Sequence, residues 1–92
     1  MGYIFEWDAR KAASNIRKHG ITFDEATTVF GDTLSLLMYD PSHSDDEERY
    51  IVMGVSIRSR LLVVSFADRP PATRIISARL ATALERKQYE QK

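Results

Sequence analysis

Tyr50-Ile51-Val52-Met53-Gly54-Val55-Ser56, then Ile57-Arg58-Ser59-Arg60, then Leu61-Leu62-Val63-Val64-Ser65-Phe66-Ala67 is the stretch that decides the fold. Both flanking runs are rich in β-branched and aromatic residues. The four residues between them suit a tight turn, so the spacing predicts an antiparallel hairpin. Arg69-Pro70-Pro71-Ala72 reads as loop, because consecutive prolines cannot join a ladder. Thr73-Arg74-Ile75-Ile76-Ser77-Ala78-Arg79 reads as a further strand. A strict period of two puts Arg74 on the face of Ile76 and Ala78, and Ser77 and Arg79 on the face of Ile75. Arginine is rarely buried without a partner, so this strand raises the question of which anion its guanidiniums meet.

Outward from that core the periodicity changes. Tyr3-Ile4-Phe5-Glu6-Trp7 reads as a short strand. Asp8 is an N-cap for a helix over 9–18, with an apolar stripe of Ala9, Ala12, Ala13 and Ile16. Lys18 and His19 favour the negative helix end, and Gly20 supplies the stop. Thr22-Phe23-Asp24-Glu25 is a capping box stapled by Ile21 and Ala26, opening a second helix to about Phe30. Leu34 to Tyr39 reads as a strand, and Asp40 to Glu48 as an acidic loop. A second capping box, Thr82-Ala83-Leu84-Glu85, opens a terminal helix to about Glu90. The order β-α-α-β-β-β-β-α predicts an α+β fold, an antiparallel sheet with helices segregated from it. Residues 1–92 fit a single domain.

Cysteine is absent, which excludes disulfides and thiolate chemistry and suits a reducing cytoplasm. No apolar run is long enough to span a membrane, and the N-terminus lacks the pattern of a signal peptide. Net charge is zero, yet unevenly spread. Residues 1–48 hold four Lys/Arg and ten Asp/Glu; residues 49–92 hold nine and three. A basic half of this kind suits a polyanion, and the self-complementary split allows a homodimer without requiring one.

Five arginines, Arg49, Arg58, Arg60, Arg74 and Arg79, fall on or at the ends of the central strands. They either converge into one phosphate-binding groove or solubilise the sheet and pair with the acidic loop, especially Glu47 and Glu48. Arg86 and Lys87 add a second basic cluster. His19 beside Lys18 is either a proton shuttle or an ordinary helix cap. Ser77 lacks the context of a hydrolase nucleophile. His43 and His19 form no ligand spacing, and Asp45 to Glu48 lack the pattern of a calcium loop, so no metal and no cofactor are expected. Tyr3 and Trp7 read as core, and Tyr89 as either core or surface.

Phe5-Glu6-Trp7-Asp8, Asn15-Ile16-Arg17-Lys18-His19-Gly20-Ile21-Thr22-Phe23, Glu25-Ala26, Glu47-Glu48-Arg49, Gly54-Val55-Ser56 and Arg74-Ile75-Ile76-Ser77-Ala78-Arg79, with Glu85-Arg86 and Tyr89-Glu90, closely resemble the BrnT family of bacterial toxins. The resemblance implies a RelE-like fold, a twisted antiparallel sheet with two N-terminal helices and a C-terminal helix. It implies a metal-independent endoribonuclease that arrests translation by cutting RNA, with ribosome-bound mRNA as one candidate substrate. The implied partner is a BrnA-like antitoxin, which also carries the toxin to operator DNA. On that footing Arg74 and Arg79 would hold the scissile phosphate, and Lys18 or His19 would transfer protons. Arg49, Arg58, Arg60, Ser77 and Arg86 would position RNA. Family members often carry a denser run of Lys/Arg after the Ser-Ala-Arg strand, where this chain has Leu80, Ala83 and Leu84. The alternatives are a non-catalytic module that only binds antitoxin and takes part in operator autoregulation, and, less favoured, a small metal-dependent enzyme.

Overall fold

The hairpin forms where its sequence asks. β3 (Arg49–Val55) pairs antiparallel with β4 (Leu61–Arg69) from Arg49↔Ala67 to Val55↔Leu61. The turn closes through Ser56 N donating to Arg60 O at 2.8 Å, with Ser59 at φ 62°. The computed structural model describes residues 3–41 and 47–91, so the middle of the expected acidic loop, including His43, lies outside the described residues. The remaining elements are β1 (Phe5–Glu6), α1 (Ala9–His19), α2 (Phe23–Thr28), a 3-10 turn at Val29–Gly31, β2 (Leu36–Asp40), β5 (Ala72–Leu80) and α3 (Ala83–Glu90). The second helix thus ends short of Phe30 and tightens into the 3-10 turn.

The strands form one sheet in the order β1-β5-β4-β3-β2. It is mixed and not wholly antiparallel as expected, because β1 runs parallel to β5 through Phe5↔Thr73 and Glu6↔Arg74. The outer edge of β5 is the position left to β1, and entry into α1 sets its direction. The expected loop over 69–72 contracts to Pro70-Pro71, with Arg69 and Ala72 paired in the ladder.

Two apolar clusters sandwich the sheet. On one face Ile21, Phe23, Ala26 and Val29 pack on Val52, Leu62, Val64, Phe66, Ile75 and Ala78. On the other, Met53, Leu61 and Val63 are covered by Leu36, Ile51, Ala81 and Tyr89 from α3. Gly54 lies against the 3-10 turn and the residues that follow it. A Cβ there would sit 3.0 Å from both an Asp32 carboxylate oxygen and a Val29 methyl.

Of the stripe read from its sequence, helix α1 packs only Ala12 against the core. Ala9, Ala13 and Ile16 face solvent, and the buried residue is Asn15. Its amide nitrogen donates to Ala78 O (2.8 Å) and Ile21 O (3.0 Å), and its amide oxygen accepts from Ala78 N (3.1 Å). Asn15 thereby stands in for the missing neighbour strand beyond β1. A buried backbone edge needs those bonds more than α1 needs an apolar contact.

Replacing Asn15 with Leu removes all three bonds and leaves Ala78 and Ile21 groups unsatisfied. Urea unfolding should show a loss of about 2–3 kcal/mol, against a few tenths for Ile16→Ala on the exposed face.

Candidate nucleic-acid interface

A β-bulge decides where the candidate residues point. The β4–β5 register shifts between Ser65 and Phe66, pairing Ser65↔Ser77 and Phe66↔Ile75. Ile76 is the extra residue, and Ile75 and Ala78 therefore share the α2 face. The alternation expected for this strand breaks there. Arg74 (opposite Ala67), Ser77 and Arg79 (opposite Val63) all come to the face of α3, together with Arg49 (opposite Ala67) and Ser65. The Arg74 and Arg79 rungs are four residues of β4 apart, about 13 Å, with Ser77 between them.

Each of these guanidiniums meets a carboxylate. Arg79 donates both arms to Glu85, at 2.8 and 2.9 Å. Glu85 simultaneously completes the α3 capping box, accepting from Thr82 N at 2.9 Å. Arg74 donates to Glu6 at 3.2 Å, and Arg49 to Glu47 at 3.2 Å. The pairing with the acidic loop foreseen for edge arginines is thus seen at Arg49. These pairs remain partly exposed, Arg79 at 40% and Glu85 at 26%. A phosphate competes there with a carboxylate on similar terms.

The five strand arginines do not converge. Arg60 turns to the α2 side and binds Glu25, whose carboxylate also accepts from Ser56 Oγ at 2.7 Å. Glu25 is 5% exposed, and a buried carboxylate requires such a counter-charge. The hydrogen bond from Arg60 holds its carboxyl below the usual range despite burial. The α2 capping box is consequently half formed: Thr22 Oγ1 accepts from Glu25 N, and the Glu25 side chain is committed elsewhere. Arg60 is structural, and Arg58 stays exposed at the hairpin tip, away from Arg49 at the strand's other end. Arg86 is exposed beside Glu90.

Lys18 and His19 end α1 across the outer edge of β5. With Lys11, Ser14 and Asn15 they face Ile76 and Ser77 over a shallow cleft of about 160 Å³. Ser77 is therefore common to the cleft and to the arginine face. Tyr3, expected in the core, is 60% exposed and stacks on Phe5, whereas Trp7 packs edge-on against Phe23. Tyr89 is partly buried against the second apolar cluster, its hydroxyl donating to Asp32 at 2.6 Å and pushed up to about 12 by that bond. Sequence reasoning missed Glu6 and Glu85 as arginine partners, because strand and cap patterns do not report contacts across elements. It also missed Lys11, although its spacing from Lys18 was readable on a helix. Among the described residues no group of three or more His, Asp or Glu gathers as a metal site.

A model of the family described as ribonuclease toxin, BrnT, of type II toxin-antitoxin system matches residues 7–85. The chain is also similar to the crystal structure of the Brucella abortus ribonuclease toxin BrnT. That likeness has a TM-score of 0.63 and 25% sequence identity over 89% of this chain and 99% of that one. Among the curated proteins none matches.

The Arg79 hydrogen bonds, aided by Thr82, hold the Glu85 carboxyl down at about 2 from its ordinary 4.5, against the opposing effect of burial. Stability from this depressed carboxyl is complete above pH 4.5 and is lost as pH falls through about 2. Glu85→Gln should cost about 1 kcal/mol near neutral pH in denaturant titrations, allowing for solvent screening. Its gap from the wild type should close between those two pH values.

Proposed function

This chain belongs to the BrnT family of ribonuclease toxins of type II toxin–antitoxin systems, and from that premise we propose that it is a metal-independent endoribonuclease acting as a single-domain cytoplasmic toxin. It arrests translation by cutting RNA, with ribosome-bound mRNA as one candidate substrate, on a RelE-like scaffold. A BrnA-like antitoxin neutralises it and brings it to operator DNA. The observation that carries the reading is the bulge at Ile76, which turns Arg74, Ser77 and Arg79 onto one face with Lys18 and His19 across the strand edge.

In the proposed step a ribose 2′-oxygen attacks the adjacent phosphorus and gives its proton to a base. The phosphorus–5′-oxygen bond breaks, and the departing oxygen takes a proton. The products are a 2′,3′-cyclic phosphate and a 5′-hydroxyl. Arg74 and Arg79 supply fixed donors for the charge that builds on the phosphate oxygens, where such donors act most strongly. Lys18 or His19 moves the protons, Ser77 lies between the two groups, and Arg49 contacts the backbone. Arg86 sits at the rim of the same face, next to Glu85. Glu85 is a positioning residue: it holds the Arg79 fork in place and yields it to phosphate.

The carboxylate on each sheet arginine favours a second reading, a toxin-fold module that binds antitoxin without cutting RNA. Leu80 and Leu84, 52% and 68% exposed, would then be part of the bound surface.

Purified protein incubated with RNA and EDTA should leave 2′,3′-cyclic ends, read by end-mapping. Arg79→Ala should lower the cleavage rate by about 10²–10³-fold. Intact RNA from verified folded protein that still binds antitoxin would establish the second reading.

A further inference from the structure

We propose that the exposed basic stripe of α1, carrying Arg10, Lys11, Arg17 and Lys18 and bordering the cleft to β5, is a track for the sugar–phosphate backbone of single-stranded RNA, delivering it along the outer edge of β5 to Ser77. The proposal rests on the ribonuclease reading and adds a binding surface to it.

Free charge is the first argument. From residue 49 onwards the described cations number eight, and six are ion-paired: Arg49, Arg60, Arg69, Arg74, Arg79 and Arg86. The basic half of the sequence has largely spent its charge on internal carboxylates. The acidic half has four cations, all of them on α1. Among the described residues none of these four forms an ion pair, and all four are exposed. Helix α1 contains no acidic residue. The one carboxylate at its start, Asp8, is occupied in capping, accepting from Arg10 N at 2.7 Å and Lys11 N at 3.2 Å.

Helix energetics are the second. Arg17, Lys18 and His19 in the last turn favour the negative end of the dipole and have an ordinary structural reason. Arg10 and Lys11 do not. They occupy the first turn, where cations oppose the dipole and where this helix places no acid.

Geometry is the third. Lys11, Ser14 and Lys18 recur at i, i+3 and i+7 and line the cleft whose opposite wall is Ile76 and Ser77. Lys11 and Lys18 are seven residues apart, about 10 Å along the helix, on the order of a dinucleotide step of backbone. Arg10 and Arg17 repeat the same spacing alongside. The stripe carries charge without a base-reading surface, which suits backbone contact and not sequence readout.

The test is a salt titration of binding to a single-stranded 2′-O-methyl oligonucleotide, which cannot be cut by 2′-oxygen attack. Two triple variants lose the same charge: Arg10→Gln/Lys11→Gln/Arg17→Gln on α1, and Arg58→Gln/Arg69→Gln/Lys87→Gln elsewhere. Circular dichroism confirms that both are folded. The α1 triple should weaken binding roughly tenfold or more at 0.15 M salt and flatten the slope of log K against log salt by about 2. The second triple should change the slope by less than half as much. Equal slope changes in the two triples, or an α1 triple that binds like the wild type, would overturn the track and leave the ribonuclease intact. A wild type that cuts no RNA and binds no oligonucleotide would overturn both.

Discussion

Everything that places chemistry on this molecule depends on one irregularity, the extra residue at Ile76, and on the side chain that holds the strand beyond it. A regular β5 would send Arg74 to the opposite face from Ser77 and Arg79. The bulge returns Ile75 and Ala78 to the same hydrophobic layer and gathers the polar residues on the other. Immediately past it, Asn15 takes both hydrogen-bonding groups of Ala78. An unpaired edge next to a bulge would be the weakest part of a sheet; here a helix side chain closes it. The same two hydrogen bonds bring α1, with Lys18 and His19, against the strand edge. Fold and candidate site therefore share one structural joint.

Charge in this protein is arranged in pairs that each serve an element and a site together. Glu85 caps α3 and holds Arg79; Glu25 begins α2 and holds Arg60 against the hairpin turn. The two pairs differ in burial, and that separates their roles. Glu25 is sealed away and its partner is committed to structure. Glu85 and Arg79 are partly wetted, so phosphate can replace carboxylate without leaving a buried ion unpaired. On the proposed reading, free charge on α1 would capture a strand and exchangeable charge on the sheet would stabilise its reacting phosphate.

The family assignment and the residue-level reading meet at Ser77. Matching extends over residues 7–85, which includes α1, the bulge and Glu85 but stops before the end of α3. The missing cations at Leu80, Ala83 and Leu84 are consistent with this division. With α1 supplying unpaired charge from the opposite side of β5, the strand's own C-terminal flank is free to be apolar and exposed.

Much of this was written in the chain. The hairpin at 50–67, the N-cap Asp8, the stop at Gly20 in a left-handed conformation and the capping box at Thr82 are local, set by propensity and by hydrogen bonds within a few residues. Those signals carry their own geometry, and they also carried the family. What the sequence alone did not determine is every relation across elements. Glu25 looked like the closing half of a capping box until the Arg60 guanidinium claimed its buried carboxylate. Ala9, Ala13 and Ile16 looked like a packing stripe until an edge needing hydrogen bonds made Asn15 the contact. The basic half of the chain looked like free charge until Glu47 and carboxylates from β1, α2 and α3 paired with six of its arginines. Period-two reading failed at Ile76 because one inserted residue reverses every side chain on one side of it, and only packing against Ile21, Phe23 and Val64 decides where that insertion falls.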